Sequence, residues 1–200
     1  MLVRLLHRLV AIPKVYDLSQ FIAGASVVKA TLRPVYKAHI PENSDVLDIG
    51  GGTGLNLSYI SAACNYTCLD NDSQKLEGFQ AKYPGLNSVL GDAAGTPFPD
   101  SHFDVVLMTF VAHHLPEEVL KASFAEITRI LKSGGRFIFT EPLLEPSVLR
   151  SRLLWKVDRG ASPRTHAVLR KHAETHFEIC EETRWAVHHR YVCWVMKPKR

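Results

Sequence analysis

Asp45-Val46-Leu47-Asp48-Ile49-Gly50-Gly51-Gly52-Thr53-Gly54 is the stretch that decides the fold. Val46 to Ile49 is a short apolar run holding one acid, and it reads as a buried strand. Four glycines follow within five residues. Without a Cβ, the backbone there can turn sharply and approach a ligand closely. Leu55 to Ala63 then reads as a helix that opens with free N–H groups. Strand, glycine loop and helix together form the first unit of a doubly wound sheet. The spacing is GxGxG, not the GxGxxG of a pyrophosphate loop. Asp48 stands two positions before the first glycine. Its carboxylate would repel a pyrophosphate and suits a cationic ligand. The plain alternative is a tight strand–helix turn.

Outward from this loop, strands and helices alternate. Tyr66 to Leu69 reads as a second strand ending in Asp70, and Ser73 to Tyr83 as a helix closed by Pro84-Gly85. Asn87 to Leu90 is a short third strand, and Phe103 to Phe110 a long fourth one. Pro116 opens a helix to Leu131, a favourable place for a residue with no N–H. Ser133-Gly134-Gly135 ends that helix, and Arg136 to Thr140 is the fifth strand. This rhythm predicts a parallel sheet with helices on both faces. Helices follow from Leu143 to Val157 and from Arg164 to Thr175. Phe177 to Val187 and His189 to Lys197 read as an antiparallel hairpin closing the sheet. The first forty residues look helical, with a break at Pro13.

The chain has 200 residues, 46% of them apolar, which fits one domain with an ordinary core. Net charge is only +4, and eight of twenty-four Lys and Arg residues fall in Arg150–Arg164 and Lys197–Arg200. A nucleic-acid binder would show a broader basic face, so such a partner is not expected. Cys64, Cys68, Cys180 and Cys193 form no CxxC pair, and the ten histidines are scattered. Reduced thiols, no metal site and a cytoplasmic location are the expectation. No apolar run reaches spanning length. Leu2, Leu5, Leu6 and Leu9 lie opposite Arg4 and Arg8 on an amphipathic helix. That helix packs on its own domain, covers a lipophilic substrate or touches a membrane surface.

Two further acids follow the strands in order. Asp70 ends the second strand, where open α/β sheets bind their ligands. A carboxylate there can accept from both hydroxyls of a ribose. It can also cap a helix, a role open to Asp72 or Ser73 too. Gly91-Asp92-Ala93 follows the third strand. Asp92 can accept from an adenine amino group while the Ala93 N–H meets a ring nitrogen, or it is a turn aspartate.

These residues, with Pro97-Phe98-Pro99-Asp100-Ser101-His102-Phe103-Asp104, His113-His114-Leu115 and Leu131-Lys132-Ser133-Gly134-Gly135, form an ordered series. The chain resembles the class I S-adenosylmethionine (SAM)-dependent methyltransferases, in the small-molecule branch. The resemblance is strong over residues 40 to 141 and rests on topology alone for the hairpin. It implies a Rossmann-like sheet of seven strands, the last antiparallel. It implies SAM as cofactor, with S-adenosylhomocysteine as product. By the same analogy Gly50, Gly51, Gly52 and Gly54 hold the methionine end, which carries an ammonium and a sulfonium. Asp48 orders that region. Asp70 with Asn71 takes the ribose, Asp92 with Ala93 the adenine, and Phe110 lies near the methionine moiety. The middle glycine Gly51 and Asn71 are mild departures from the commoner pattern.

In this reading residues 1–40 are a helical lid, 41–141 the SAM-binding core, and 142–200 the substrate-side helices and closing hairpin. Tyr16 is a candidate lid or cofactor contact, beside Asp17 and Phe21. Arg33 could meet the SAM carboxylate or be solvated. SAM is already activated, so placement of the acceptor is the first task. A base helps only when the acceptor must lose a proton. His113, His114 and Glu141 are the candidates, each with a structural alternative as a packing, capping or strand-end residue. His166, His188 and His189 read as structural or solvated. The acceptor is an unidentified small molecule presenting an O-, N- or C-nucleophile, with a lipophilic or aromatic one preferred. The rival readings are a nucleic-acid or protein methyltransferase and a silent SAM-binding partner protein. A nicotinamide reductase would want a GxGxxG loop and a Tyr-x-x-x-Lys pair, and neither is present.

Overall fold

The computed structural model describes residues 25–157 and 162–199. The N-terminal amphipathic stretch, Tyr16 and Phe21 therefore lie outside the described residues. Helix α1 (Ala25–His39) leads into strand β1 (Asp45–Ile49), the glycine loop and a 3-10 turn (Asn56–Tyr59). Then come β2 (Asn65–Asp70), α2 (Ser73–Lys82), β3 (Asn87–Leu90) and β4 (Phe103–Thr109). A second 3-10 turn (Ala112–His114) precedes α3 (Glu117–Ile130) and the long β5 (Leu131–Leu143). Helices α4 (Leu149–Val157) and α5 (His166–His176) lead to the hairpin β6 (Phe177–Ala186) and β7 (Arg190–Pro198).

The strands form one seven-stranded sheet in the order β3-β2-β1-β4-β5-β7-β6. β1 to β5 pair in parallel, and β7 runs antiparallel to both neighbours. This is the expected Rossmann-like α/β fold with its last strand reversed. Side chains alternate across each strand, so the sheet has two buried faces. Phe137 and Phe139 of β5 join Trp194 of β7 and Phe124 of α3 on one face. Ile138 and Val195 point the other way, toward Leu32 and Tyr36 of α1 and Phe79 of α2.

Several element boundaries differ from expectation. The predicted helix over 55–63 is only the single 3-10 turn Asn56–Tyr59. Asn56 is buried, and its amide donates to both oxygens of Asp48, each at 3.1 Å. That bond turns the Asn inward, and Ser58 and Ser61 are poor helix formers that favour turns. β5 starts earlier and ends later than Arg136–Thr140: its pairing with β4 shifts register between Phe103 and Val105. It then extends to Leu143, so the next helix begins only at Leu149. Pro146 disfavours helical backbone at Glu145, which delays that start.

Candidate active site

The order of strands reverses between β1 and β4. In an open α/β sheet that reversal leaves a crevice at the carboxyl ends of the strands. The glycine loop fills one lip of it and residues 110–115 the other. Their approach is close: a Cβ on Gly50 would fall 2.4 Å from Val111 Cγ2, and Gly50 has φ +69°. Only glycine fits there. Gly52, at φ +54°, would bring a Cβ into ordinary contact with Lys75 and Asp70, 3.7 and 3.8 Å away, so its backbone angle and not crowding is what favours glycine there. The N–H groups of Gly50 and Gly51 donate to the Leu69 carbonyl at 2.7 and 3.3 Å, folding the loop over the end of β2.

Asp48 lies beneath this loop, 1% exposed. Besides the Asn56 amide, the Tyr66 hydroxyl donates to it at 2.6 Å. Burial pushes its carboxyl up to about 6, against hydrogen bonds from Tyr66 and Asn56 that pull it down. All these partners belong to the protein itself, so the geometry ties the loop to the sheet. Tyr36 of α1 extends the network, with its hydroxyl 3.0 Å from Thr109 Oγ1 and donating to Asn56 Oδ1 at 3.4 Å. Asn56, Tyr66 and Tyr36 were not singled out from the sequence. The available signal was an Asn two residues past the last glycine, read there as part of a helix.

Asp70 ends β2, 3% exposed, and accepts the Gly52 N–H at 3.1 Å and the Asp72 N–H at 3.0 Å. The Lys75 ammonium lies 3.6 Å away. Asp72, not Asp70, caps α2: its Oδ1 accepts the N–H groups of Gln74 and Lys75. Asp70 is thus released from the capping role. Asn71 is exposed beside it. Asp92 is exposed and accepts the Ala94 N–H at 2.7 Å in a turn, with Ala93 buried next to it. Phe110 holds φ +60°, a left-handed backbone that a bulky residue keeps only when its surroundings impose it. Its N–H donates to the Thr140 carbonyl at 2.9 Å, and its ring meets Tyr191 edge-on at 5.7 Å.

Two of the three catalytic candidates come together. Glu141, 1% exposed at the end of β5, lies 2.5 Å from His113 Nδ1. Its carboxylate also accepts the N–H groups of His113 at 2.9 Å and Ala112 at 3.2 Å. His113 is 7% exposed, and its ring lies 4.1 Å from that of His114 and 5.6 Å from Trp155. His114 is exposed. Arg164 braces the same turn from the opposite side. It donates to the carbonyls of Ala112 at 2.8 Å and Leu115 at 2.7 Å, and is itself 8% exposed. Burial pulls its guanidinium down from the ordinary range, while Glu117 and Glu141 push it back up. In the sequence Arg164 is legible only as a member of a basic stretch and as the start of a helix. A buried arginine serving carbonyls leaves no trace in local pattern.

Two of the remaining candidates sit elsewhere. His166 joins Glu182 and Arg184 on the far side of the hairpin, and Arg33 is exposed on α1. His189 stays near the site: its ring lies tilted against Trp155 at 4.7 Å, and Trp155 in turn meets His113. Shallow cavities at the amino ends of the strands, beside Asp45 and His102 or beside His39 and Arg136, gather no comparable set among the described residues.

Residues 47–139 match the family model described as a methyltransferase domain. The chain is 34% identical over 123 residues to phthiotriol/phenolphthiotriol dimycocerosates methyltransferase 1 of Mycobacterium ulcerans, covering 59% of this chain and 43% of that protein. It is 34% identical over 105 residues to a fatty-acid O-methyltransferase of Mycolicibacterium smegmatis, covering 50% of this chain and 38% of that one. It thus spans less than half the length of these curated relatives. Among solved structures, a SAM-dependent methyltransferase from Methanosarcina mazei superposes with a TM-score of 0.72. That match has 20% identity and covers 84% of this chain and 98% of that one, a likeness of fold.

Proposed function

We propose that this chain is a class I SAM-dependent methyltransferase domain and that it transfers a methyl group to a lipophilic small-molecule acceptor, a reading supported by the family model over 47–139, the curated relatives and the fold. One observation carries the reading. The glycine crevice, Asp70 and the His113–Glu141 pair converge at the carboxyl ends of β1, β2, β4 and β5, on the two lips of the strand-order reversal. The positive-φ glycines at the end of β1 suit SAM, whose amino-acid end needs close backbone approach. Gly50, Gly51, Gly52 and Gly54 would hold that end, beside Phe110. Asp70 and Asn71 would hold the ribose, and Asp92 with Ala93 the adenine. Asp48 acts from below, keeping the loop in shape. SAM, when bound, supplies an activated methyl on a sulfonium.

What the chain adds is position and a proton acceptor. Glu141 accepts from His113 Nδ1 and so directs Nε2 as the basic nitrogen. Arg164 and Glu141 clamp the turn that carries it, which fixes the imidazole within the small tolerance that proximity catalysis needs. Residues 142–200 would close the acceptor side of a core formed by 41–141; α1 packs Leu32 and Tyr36 into that core, and Tyr16 lies outside the described residues. The names of the two mycobacterial relatives supply the lipophilic class of acceptor.

Calorimetry with SAM and S-adenosylhomocysteine tests the cofactor. Saturable binding, weakened about tenfold or more in Asp70→Ala, is expected, since a bidentate contact to the ribose is lost. A folded protein that binds neither compound overturns the reading. Transfer of labelled methyl to an extract of lipids, and not to a panel of polar amines and acids, tests the acceptor class.

A further inference from the structure

Helix α4 has two faces with different neighbours. At 3.6 residues per turn, Leu149, Arg152, Leu153 and Lys156 share one side, and Ser151 and Trp155 the other. The inner side belongs to the active site. Trp155 is 7% exposed and lies against His113 and His189, and Ser151 Oγ accepts the Glu145 N–H at 3.1 Å. The outer side is apolar and open: Leu149 is 65% exposed, Leu153 54%, and Val148, just before the helix, 40%. Single exposed leucines are ordinary, but two of them one turn apart make a stripe. Arg152 and Lys156 are exposed along its edge, and Val148 to Lys156 contains three cations and no acid.

We propose that α4 seats the domain on an anionic lipid bilayer, with Leu149 and Leu153 in the headgroup layer and Arg152 and Lys156 against lipid phosphates. An apolar stripe edged by cations is what such a surface recognises. A second copy of the chain fits poorly. A two-fold contact would set Arg152 and Lys156 against their own equivalents. Three side chains also supply far less than the ~800 Å² per partner of a stable interface. The arrangement puts the membrane on one side of a single helix and His113 on the other, so a lipid acceptor would enter past Trp155. That purpose rests on the acceptor class proposed above; the binding itself does not.

Co-sedimentation of the full chain with vesicles tests it. Vesicles of phosphatidylcholine with about one third phosphatidylglycerol should bind the protein, less so at high salt, and pure phosphatidylcholine only weakly. The double change Leu149→Glu/Leu153→Glu should cut binding about tenfold or more while SAM calorimetry stays unchanged. If that variant does not fold, Arg152→Glu/Lys156→Glu is the second probe, with the same expectation. No binding by the wild type overturns the proposal. So does equal binding to the neutral vesicles, or binding that both variants retain, or a concentration-dependent dimer that the variants abolish. A wild type that binds vesicles but not SAM would instead count against the cofactor reading and leave the membrane proposal standing.

Discussion

At the scale of the residue, Glu141 is a carboxylate in a place with almost no water, and everything it touches is a donor. Two backbone N–H groups and the His113 ring satisfy it. Its charge would stabilise an imidazolium formed when His113 takes a proton. Glu141→Gln keeps the shape and removes the charge. In an assay with a proton-losing acceptor, kcat should fall about 10²-fold or more while SAM affinity holds. An unchanged kcat would reduce the pair to a strut for the turn after β4. His113 and Glu141 were both legible as single polar residues after apolar strands. Their contact was not, because 28 residues of chain separate them.

At the scale of the element, α3 is pinned to the segment before β4 by one acid. Glu126 accepts the Thr96 N–H and hydroxyl and pairs with Arg129, which reaches on to Asp100 and the Phe98 carbonyl. The Arg129 guanidinium, outweighing the cost of burial, holds the Glu126 carboxyl down at about 2 from its ordinary 4.5. A depressed carboxyl stabilises the fold above its unfolded value, and that stability is lost as pH falls toward the folded one. Glu126→Gln should therefore lower unfolding free energy by about 1–3 kcal/mol near neutral pH. The gap should close as pH drops from about 4.5 toward 2. Urea midpoints at several pH values check this, and a pH-independent gap would mean that shape and not charge holds the segment. The Pro97–Asp104 stretch that carried the resemblance in the sequence thus acts partly as a clasp for α3.

At the scale of the whole molecule, the hairpin completes the core. Trp194 of β7 is fully buried, lies over Phe139 of β5 at 5.6 Å and donates its indole N–H to Glu182 of β6 at 2.8 Å. It joins the C-terminal strands to the parallel half of the sheet. Trp194→Ala should destabilise the protein by about 3–5 kcal/mol, the range for a large buried aromatic whose cavity cannot collapse. The unfolding midpoint by fluorescence or calorimetry measures it. A loss below about 1 kcal/mol would mean that the hairpin folds as a unit independent of the core.

The sequence by itself determined the α/β class, the alternation of elements, the hairpin and the order of the motifs. These depend on apolar periodicity and on glycine and proline chemistry, both of which are local. It misjudged the run after the glycine loop. A helical pattern from Leu55 to Ala63 lost to a buried bond between Asn56 and Asp48, and no window of sequence shows that bond. It also left three neighbours unseen: Tyr66 under Asp48, Arg164 against the 112–115 turn, and Trp155 beside His113. Only tertiary structure decided these, because each pairs groups from separate strands, helices or connections. Their geometry is set by how the sheet stacks its elements, and spacing along the chain carries no record of it.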